Sequence, residues 1–334
     1  MPRIAPLLLC LLLILGQGVR AAAQDPGLAL ESPVRCTNGQ DCFIQNYVDQ
    51  DPGPGSRDYT CGGLAYDGHK GTDIRPLDPA ALAAGVEVRA AAAGMVRAVR
   101  NDAPDPADRP FTAAEVAGKE AGNAVVLAHP GGWETQYSHL RRGSIRVAQG
   151  QRVEAGQVLG LVGMSGRAEF PHVELAVRQD GRPVDPFRGL EGGPQCGPGS
   201  APLWSPAALA SLAYAPSALA WAGFAAKTPD TDLPQAEARL SVLAPAIIFW
   251  VQILGARAGD ELLLRLTGPD GAVLAEHRQV LGRNKAQSLV YIGKRRRVAP
   301  WAPGAYTGAF TLTLRSPSGE PPAVLSAERH LDIR

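Results

Sequence analysis

The sequence predicts an all-β protein with two successive β domains, and three features of the chain indicate this class. Its 334 residues are enough for two domains with separate cores. Alanine, glycine and proline are abundant while aromatic residues make up only 6%, a composition that suits turn-rich β structure. Short segments with alternating apolar residues recur between glycine turns, first over residues 62–187 and again after residue 238.

The first run of segments predicts a sheet-rich domain with one long loop. Its strands are expected at 86–88, 94–99, 123–128, 134–140, 158–162 and 172–178. Residues 101–119 interrupt them with proline and acidic residues, and a loop of that length is commonly functional or mobile. A small β-sandwich of immunoglobulin type is indicated in the second run by strands at 247–251, 261–266 and 309–314.

The N-terminus has the layout of a secretory signal peptide. Arg3 precedes an apolar run at 7–15, and three alanines at 21–23 offer a cleavage site before Gln24. The apolar run is shorter than the roughly 20 residues that span a bilayer, so we expect no membrane span after cleavage. We therefore expect a periplasmic or secreted protein. Its predicted parts are a signal peptide (1–23), a lead-in (24–60), a sheet domain (61–196), an Ala/Pro-rich connector (197–236) and an immunoglobulin-like β-sandwich (237–334).

The net charge indicates which partners the protein has, and the cysteines indicate how it is cross-linked. A formal net charge of +1 gives no electrostatic bias toward nucleic acid, so we expect no nucleic-acid partner. Four cysteines in an exported chain indicate two disulfides, for which three pairings exist. Cys36 and Cys42 are close enough in sequence to close a small loop, which would leave Cys61 with Cys196. A cysteine zinc site is the alternative, but the chain has no Cys-x-x-Cys pair.

The first candidate for chemistry is the pair His69 and Asp73, which stand four residues apart. Both residue types are ordinary zinc ligands. In an extended strand they would lie roughly 13 Å apart, at about 3.3 Å per residue, so they can share a metal only if the chain curls. Gly71 is the residue that permits such a bend. Taken alone, an exposed histidine and a turn aspartate are the commoner interpretation of such a pair.

Two further candidates lie on predicted strands. His172 and Glu174 project from one face of their strand, while the apolar residues that alternate with them project from the other. This pattern places an apolar face towards the core and a His/Glu face towards a groove. In the strand at 134–140, the same alternation puts Tyr137 and His139 on one face.

In their order and spacing, these motifs resemble the catalytic domain of LytM/lysostaphin-type zinc metallopeptidases over residues 68–186. The likeness includes a His-x-x-x-Asp at 69–73, and it covers over a third of the chain. It says little about residues 24–60 or 200–334. The matching segments are 68–73, 85–90, 94–96, 122–126, 137–140, 153–160, 163–167, 171–174 and 181–186.

The resemblance implies a role for each candidate residue. His69 and Asp73 would be metal ligands, while His139 and His172 would be the non-ligand histidines that transfer protons and stabilise the oxyanion. The family closes a His-x-His motif with its third ligand, two residues beyond the position of His172. This chain has Glu174 at that position.

Glu174 leaves two functions open. A carboxylate is a legitimate zinc ligand, and a His, Asp, Glu set would hold one Zn ion or shift the preference towards Mn or Fe. The chain would then be a zinc metalloendopeptidase that hydrolyses the peptide cross-links of bacterial peptidoglycan. The alternative is a non-catalytic LytM-like module that binds peptidoglycan or activates a cell-wall hydrolase, which would be its partner.

Overall fold

The computed structural model describes residues 27–106, 110–190, 195–229, 235–297, 299–315 and 322–334. The predicted signal peptide at 1–23 lies outside the described residues. Within the described ranges, no helix is both long and apolar enough to cross a membrane.

The described chain is nearly all sheet, as the sequence predicts. Its two α-helices are α1 (Pro79–Ala84) and α2 (Pro206–Ser211). Each begins with proline after a residue, Asp78 or Ser205, whose side chain accepts a backbone N–H of the first turn. The strands are β1 (Cys42–Asn46), β2 (Thr72–Pro76), β3 (Glu87–Arg89), β4 (Gly94–Arg100), β5 (Asn123–Ala128), β6 (Trp133–Leu140), β7 (Arg152–Val153), β8 (Val158–Leu161), β9 (Val173–Gln179), β10 (Arg182–Val184), β11 (Ala218–Ala225), β12 (Arg239–Leu240), β13 (Ala246–Ala256), β14 (Glu261–Thr267), β15 (Val273–Val280), β16 (Lys285–Arg295), β17 (Gly304–Thr313) and β18 (Val324–Ile333).

An eight-stranded antiparallel sheet carries or borders all the candidate site residues. Its strand order is β1-β2-β9-β6-β5-β4-β7, and β10 also pairs with β9. Strands β3 and β8 form a separate two-stranded sheet. Strand β1 comes from the segment that the sequence suggested as a lead-in, so residues ahead of position 61 complete this sheet at one edge.

The register of β9 is fixed by its apolar face. Val173, Leu175 and Val177 are at most 1% exposed and belong to the buried cluster of the first domain. Full burial of each such side chain stabilises the fold by roughly 1.5–3 kcal/mol. A slip by one residue would expose all three and bury Glu174 in the core, so the sheet holds Glu174 on the groove face.

The region predicted as a connector contains regular structure. Strand β11 pairs with β13 from Ala218 opposite Leu254 to Ala225 opposite Ile248. Together with β16, these strands form a three-stranded sheet, while β12, β18, β17, β14 and β15 form a five-stranded one. Apolar residues of both sheets make one buried cluster, as expected for a two-layer sandwich. The immunoglobulin-like topology of this part stays a prediction.

Both expected disulfides are present. Cys36 is bonded to Cys42, and Cys61 is bonded to Cys196 across 135 positions of the sequence. The second bond joins the start of the sheet domain to its end.

Candidate metal centre

Four neighbouring strands present a row of polar residues on one face of the large sheet. Asn46 of β1 lies opposite Asp73 of β2, and Asp73 lies opposite Glu174 of β9. On the other side of Glu174, its cross-strand neighbour is Ser138 of β6. Because directly opposite residues project to the same side of a sheet, these side chains line one groove.

His69, just ahead of β2, completes a compact donor cluster with Asp73 and Glu174. Ligand atoms of these three residues all lie within 4.8 Å of one another, and His69 Nε2 is 3.3 Å from Asp73 Oδ1. Ligands of a tetrahedral zinc ion, at about 2.0–2.2 Å from the metal, are themselves about 3.3–3.6 Å apart. Both His69 Nε2 and Asp73 Oδ1 are buried and have no hydrogen-bond partner within the described residues. A divalent cation between them would satisfy both atoms once Nε2 of His69 has released its proton.

Gly71 serves this cluster differently from the sequence-based expectation. The chain does bend at Gly71 before β2 begins, but the residue is not among the glycines with positive φ. A Cβ atom there would lie 2.5 Å from Cγ of Glu174 and 2.6 Å from its Oε1. Glycine is therefore needed for the close approach of Glu174, and the left-handed conformation available to glycine is not used.

Asn46 orients one of the carboxylates, a contact that sequence reasoning missed. Its Nδ2 donates a hydrogen bond to Oδ2 of Asp73 at 2.8 Å. This leaves Oδ1 of Asp73 directed at His69. Hydrogen bonds of this kind fix the orientation of metal ligands. Asn46 stands 27 positions before Asp73 in a segment without recognisable motifs, so only the strand pairing reveals it.

His172 is held by two contacts with Phe170. Its Nδ1 lies 2.8 Å from the carbonyl oxygen of Phe170, and the two rings are 4.7 Å apart. A carbonyl can only accept, so Nδ1 carries the hydrogen and Nε2 is left as an acceptor. That Nε2 faces the cluster, 3.7 Å from Oδ1 of Asp73. The ring of His139 is 4.6 Å away.

His139 reaches the groove through an irregularity that the alternation rule does not anticipate. The prediction that it shares a face with Tyr137 is wrong: Tyr137 is fully buried in the core, and its hydroxyl accepts from Ala91 N. The pairing of β5 with β6 shifts register at this point, and His139 has a φ of 63°. This left-handed conformation is costly for histidine and turns the ring toward the groove.

In that position, the His139 ring is fixed on both sides. Nδ1 lies 2.8 Å from the carbonyl oxygen of Ser165, and Nε2 lies 3.5 Å from Oε2 of Glu174. The structure thus brings all five predicted site residues to one groove.

Charge interactions in this groove shift the pKa values of its residues. Burial alone would raise the pKa of Asp73, but the His172 and His69 rings outweigh it and bring that pKa to about 2. Burial lowers the pKa of His172 to about 4 against the opposing charge of Asp73. Burial works against the charged forms of His139 and Glu174, yet their mutual hydrogen bond raises the pKa of His139 and lowers that of Glu174. The two carboxylates are therefore anionic, which suits a cation between them.

Tyr66 is a second residue that sequence reasoning missed. Its ring is 4.4 Å from the ring of His69, and its side chain is 54% exposed at the mouth of the groove. Burial of its hydroxyl and the charges of Asp73 and Glu174 raise its pKa. Its position three residues before His69 is the one signal that the sequence offered.

The remaining three histidines have structural or exposed positions. His277 and His330 are exposed on the C-terminal strands. His129 is buried, with Nδ1 2.8 Å from Ala93 O and Nε2 2.9 Å from Thr135 Oγ1.

The antiparallel sheet thus carries a His, Asp and Glu cluster that could hold a metal ion, beside two further histidines. Residues 67–186 match the model of Peptidase family M23, and this part of the chain is an M23 domain. The resemblance inferred from the motifs is thereby confirmed for this domain.

Curated relatives match parts of the same region. The chain is 45% identical over 65 residues to the DD-carboxypeptidase/endopeptidase Mpg of Neisseria meningitidis serogroup B, which is 20% of this chain and 14% of that protein. It is 33% identical over 120 residues to the peptidoglycan DD-endopeptidase ShyA of Vibrio cholerae, which is 36% of this chain and 22% of that protein. The chain thus spans less than a quarter of the length of either relative.

Two solved structures match this chain with lower sequence identity than these relatives. A zinc-containing peptidase from Vibrio cholerae is 27% identical with a TM-score of 0.28, over 46% of this chain and 39% of that one. A putative peptidase M23 from Pseudomonas aeruginosa is 24% identical with a TM-score of 0.30, over 49% of this chain and 51% of that one.

Proposed function

We propose that this protein is a metal-dependent endopeptidase that hydrolyses the peptide cross-links of bacterial peptidoglycan in the periplasm or outside the cell. The observation that carries the proposal is the meeting of ligand atoms of His69, Asp73 and Glu174, among which His69 Nε2 and Asp73 Oδ1 are buried without a hydrogen bond within the described residues. One relative of the M23 domain is named as a DD-carboxypeptidase/endopeptidase and another as a peptidoglycan DD-endopeptidase, and these names support peptidoglycan as the substrate. The two disulfides suit an oxidising compartment.

The three donors would hold one divalent ion, with zinc as the first candidate. When bound, the ion supplies Lewis-acid activation of the scissile carbonyl and of water. Two carboxylates in the set, Asp73 and Glu174, leave less positive charge on the ion than a set with two histidines would. They also favour harder metals, so manganese or iron(II) are alternatives to zinc.

The two non-ligand histidines supply the proton chemistry. His172 keeps its Nδ1 hydrogen on the Phe170 carbonyl, so its Nε2 accepts a proton on the groove side. His139 is fixed in the same way by the Ser165 carbonyl and directs Nε2 into the groove. The raised pKa of His139 favours the protonated ring, which also carries a hydrogen on Nε2 and can donate it to the oxyanion that develops when the amide carbon becomes tetrahedral. The left-handed backbone of His139 fixes that direction before substrate binds.

The second candidate function is a non-catalytic module that binds peptidoglycan or activates a cell-wall hydrolase. One contact favours it: Glu174 Oε2 already has an ionic partner in His139 Nε2 at 3.5 Å. A carboxylate satisfied by a protonated histidine has less need of a metal ion. In that case the groove would keep its shape and could bind wall peptides without cleaving them.

Digestion of purified peptidoglycan separates the two functions. Protein loaded with zinc, manganese or iron(II) is incubated with the polymer, and the released fragments are identified by mass spectrometry. We expect new peptide termini with wild type and none with His69→Ala, while His277→Ala, which changes an exposed histidine of β15, should act as wild type. Glu174→His should bind zinc more tightly and release more fragments, because a neutral ligand leaves more charge on the ion.

If the protein releases no fragments with zinc, with manganese or with iron(II), the endopeptidase proposal is overturned. If wild type then still sedimented with intact peptidoglycan, the binding module would be the function that remains.

A further inference from the structure

Arg75 is a buried cation that joins the metal-binding strand to the C-terminal sheets. It follows Asp73 by two positions on β2 and is only 1% exposed. Its Nη1 donates to Oε1 of Gln45 at 2.9 Å and to Oε1 of Gln287 at 2.7 Å, and its Nη2 donates to Oε1 of Gln252 at 3.3 Å. Gln252 and Gln287 belong to β13 and β16, so a residue of the M23 domain is held from outside that domain.

The guanidinium group also lies over two aromatic rings. It lies 4.8 Å from the ring centroid of Phe170 and 5.6 Å from that of Trp221. Trp221 belongs to β11, and its Nε1 donates to the carbonyl of Leu77 at 2.6 Å. Each strand of the three-stranded sheet therefore contributes one contact to this region: Trp221 from β11, Gln252 from β13 and Gln287 from β16.

Phe170 connects this cluster to the groove. Its ring packs against His172 at 4.7 Å, and its carbonyl accepts the Nδ1 hydrogen of the same histidine. A movement of Phe170 would thus change both contacts that set the orientation of the His172 ring. A planar guanidinium group suits this position over the Phe170 ring because it can contact the ring face while its N–H groups remain hydrogen-bonded.

We propose that Arg75 and Phe170 are positioning residues through which the C-terminal three-stranded sheet fixes His172 for proton transfer. The inference rests on the proposed function, since it assigns His172 a reacting proton. The C-terminal region then acts as a structural part of the reaction centre in addition to any binding role. Displacement of a reacting group by about 1 Å can lower a rate on the order of 100-fold, so a loosened His172 is expected to affect turnover.

Phe170→Leu removes the ring and keeps an apolar side chain. We expect kcat for the release of peptide fragments to fall about 10- to 100-fold. KM and the dissociation constant for zinc should change less than about threefold, because His172 is neither a metal ligand nor a group that binds the substrate in its ground state. Phe170→Tyr keeps the ring and should retain most of kcat. Arg75→Lys keeps the charge but loses the planar stack, and should lower kcat in the same way.

Two controls separate positioning from stability. Phe310→Leu makes the same change in the buried cluster of the C-terminal sheets, and should lower the melting temperature without changing kcat at a temperature where the protein is folded. Gln287→Ala removes an Arg75 partner, while Gln279→Ala changes an exposed glutamine of β15. Only the first of these glutamine variants should lower kcat.

A second readout needs no activity. In the metal-free protein, the side-chain NMR resonances of His172 should shift in Phe170→Leu and in Gln287→Ala, and remain in place in Gln279→Ala. If wild type cleaves nothing, the proposed function has failed while this shift still tests the positioning. Unchanged His172 resonances in Gln287→Ala, or a kcat in Phe170→Leu equal to that of Phe310→Leu, would overturn the inference.

Discussion

Replacement of Gly71 by alanine tests whether Glu174 belongs to the metal-binding set. The added Cβ would lie 2.5 Å from Cγ of Glu174, 2.6 Å from Oε1 and 3.0 Å from Cδ. Carbon atoms in contact need about 3.5 Å, so the Glu174 side chain must retreat by about 1 Å. A ligand bond of about 2.0–2.2 Å does not tolerate that shift. We therefore expect zinc affinity to fall about 10- to 100-fold, the range seen when the surroundings of metal ligands are altered.

The backbone should accept this substitution without loss of stability. Gly71 is not one of the glycines with positive φ, so alanine introduces no left-handed strain. Zinc affinity is measured by competition with a chromophoric chelator, and stability by urea unfolding of the metal-free protein. Gly63→Ala is the matched control, because a Cβ there meets only Nδ2 of Asn284 at 3.8 Å.

A double-mutant cycle decides whether Glu174 transmits the effect. In a Glu174→Ala background, which should already have lost zinc, the added methyl group has nothing to displace, so Gly71→Ala should change neither zinc binding nor the unfolding free energy of the metal-free protein. Wild-type affinity in Gly71→Ala, or the same loss in both backgrounds, would show that Glu174 is not a ligand.

Two further predictions concern stability. Replacing both cysteines of the Cys61–Cys196 pair by serine should lower the free energy of unfolding by about 5 kcal/mol. The same change in the Cys36–Cys42 pair should lower it by about 2 kcal/mol, because that disulfide closes a far shorter loop. Equal losses in urea unfolding would contradict this. Burial lowers the pKa of His129 against its hydrogen bond to Ala93, so the folded protein keeps this histidine neutral. The neutral, buried histidine supports the fold above the unfolded pKa of about 6.5, and this support is lost as the pH falls below that value. Wild type should therefore lose more unfolding free energy between pH 7 and pH 5 than His129→Asn does, and parallel pH profiles would refute the assignment.

The parts of the site that follow from local alternation could be predicted from the sequence. The apolar face of β9 identified the core side, and this placed Glu174 on the groove side next to His172. The six strands expected between residues 86 and 178 lie within about two residues of their expected positions, because each has its own apolar pattern and glycine boundaries, whereas the short strands β7 and β10 were not predicted.

Features that depend on long-range pairing or on unusual backbone conformations could not be predicted. The left-handed φ of His139 has no local sequence signal, and alternation placed that residue on the wrong face. Asn46 meets Asp73 only because β1 pairs with β2, and Arg75 meets Gln287 across 212 positions of the sequence. Gly71 was correctly singled out, but its role is steric and depends on where Glu174 lies.

The central claim is that His69, Asp73 and Glu174 hold one divalent ion. Elemental analysis of wild type, loaded with zinc and then dialysed, tests it most directly. We expect one zinc ion per chain in wild type, none in His69→Ala, and none in Glu174→Ala, since two remaining ligands seldom retain zinc. A folded wild-type protein that carries no zinc, manganese or iron, or a Glu174→Ala variant that still carries one ion per chain, would contradict it.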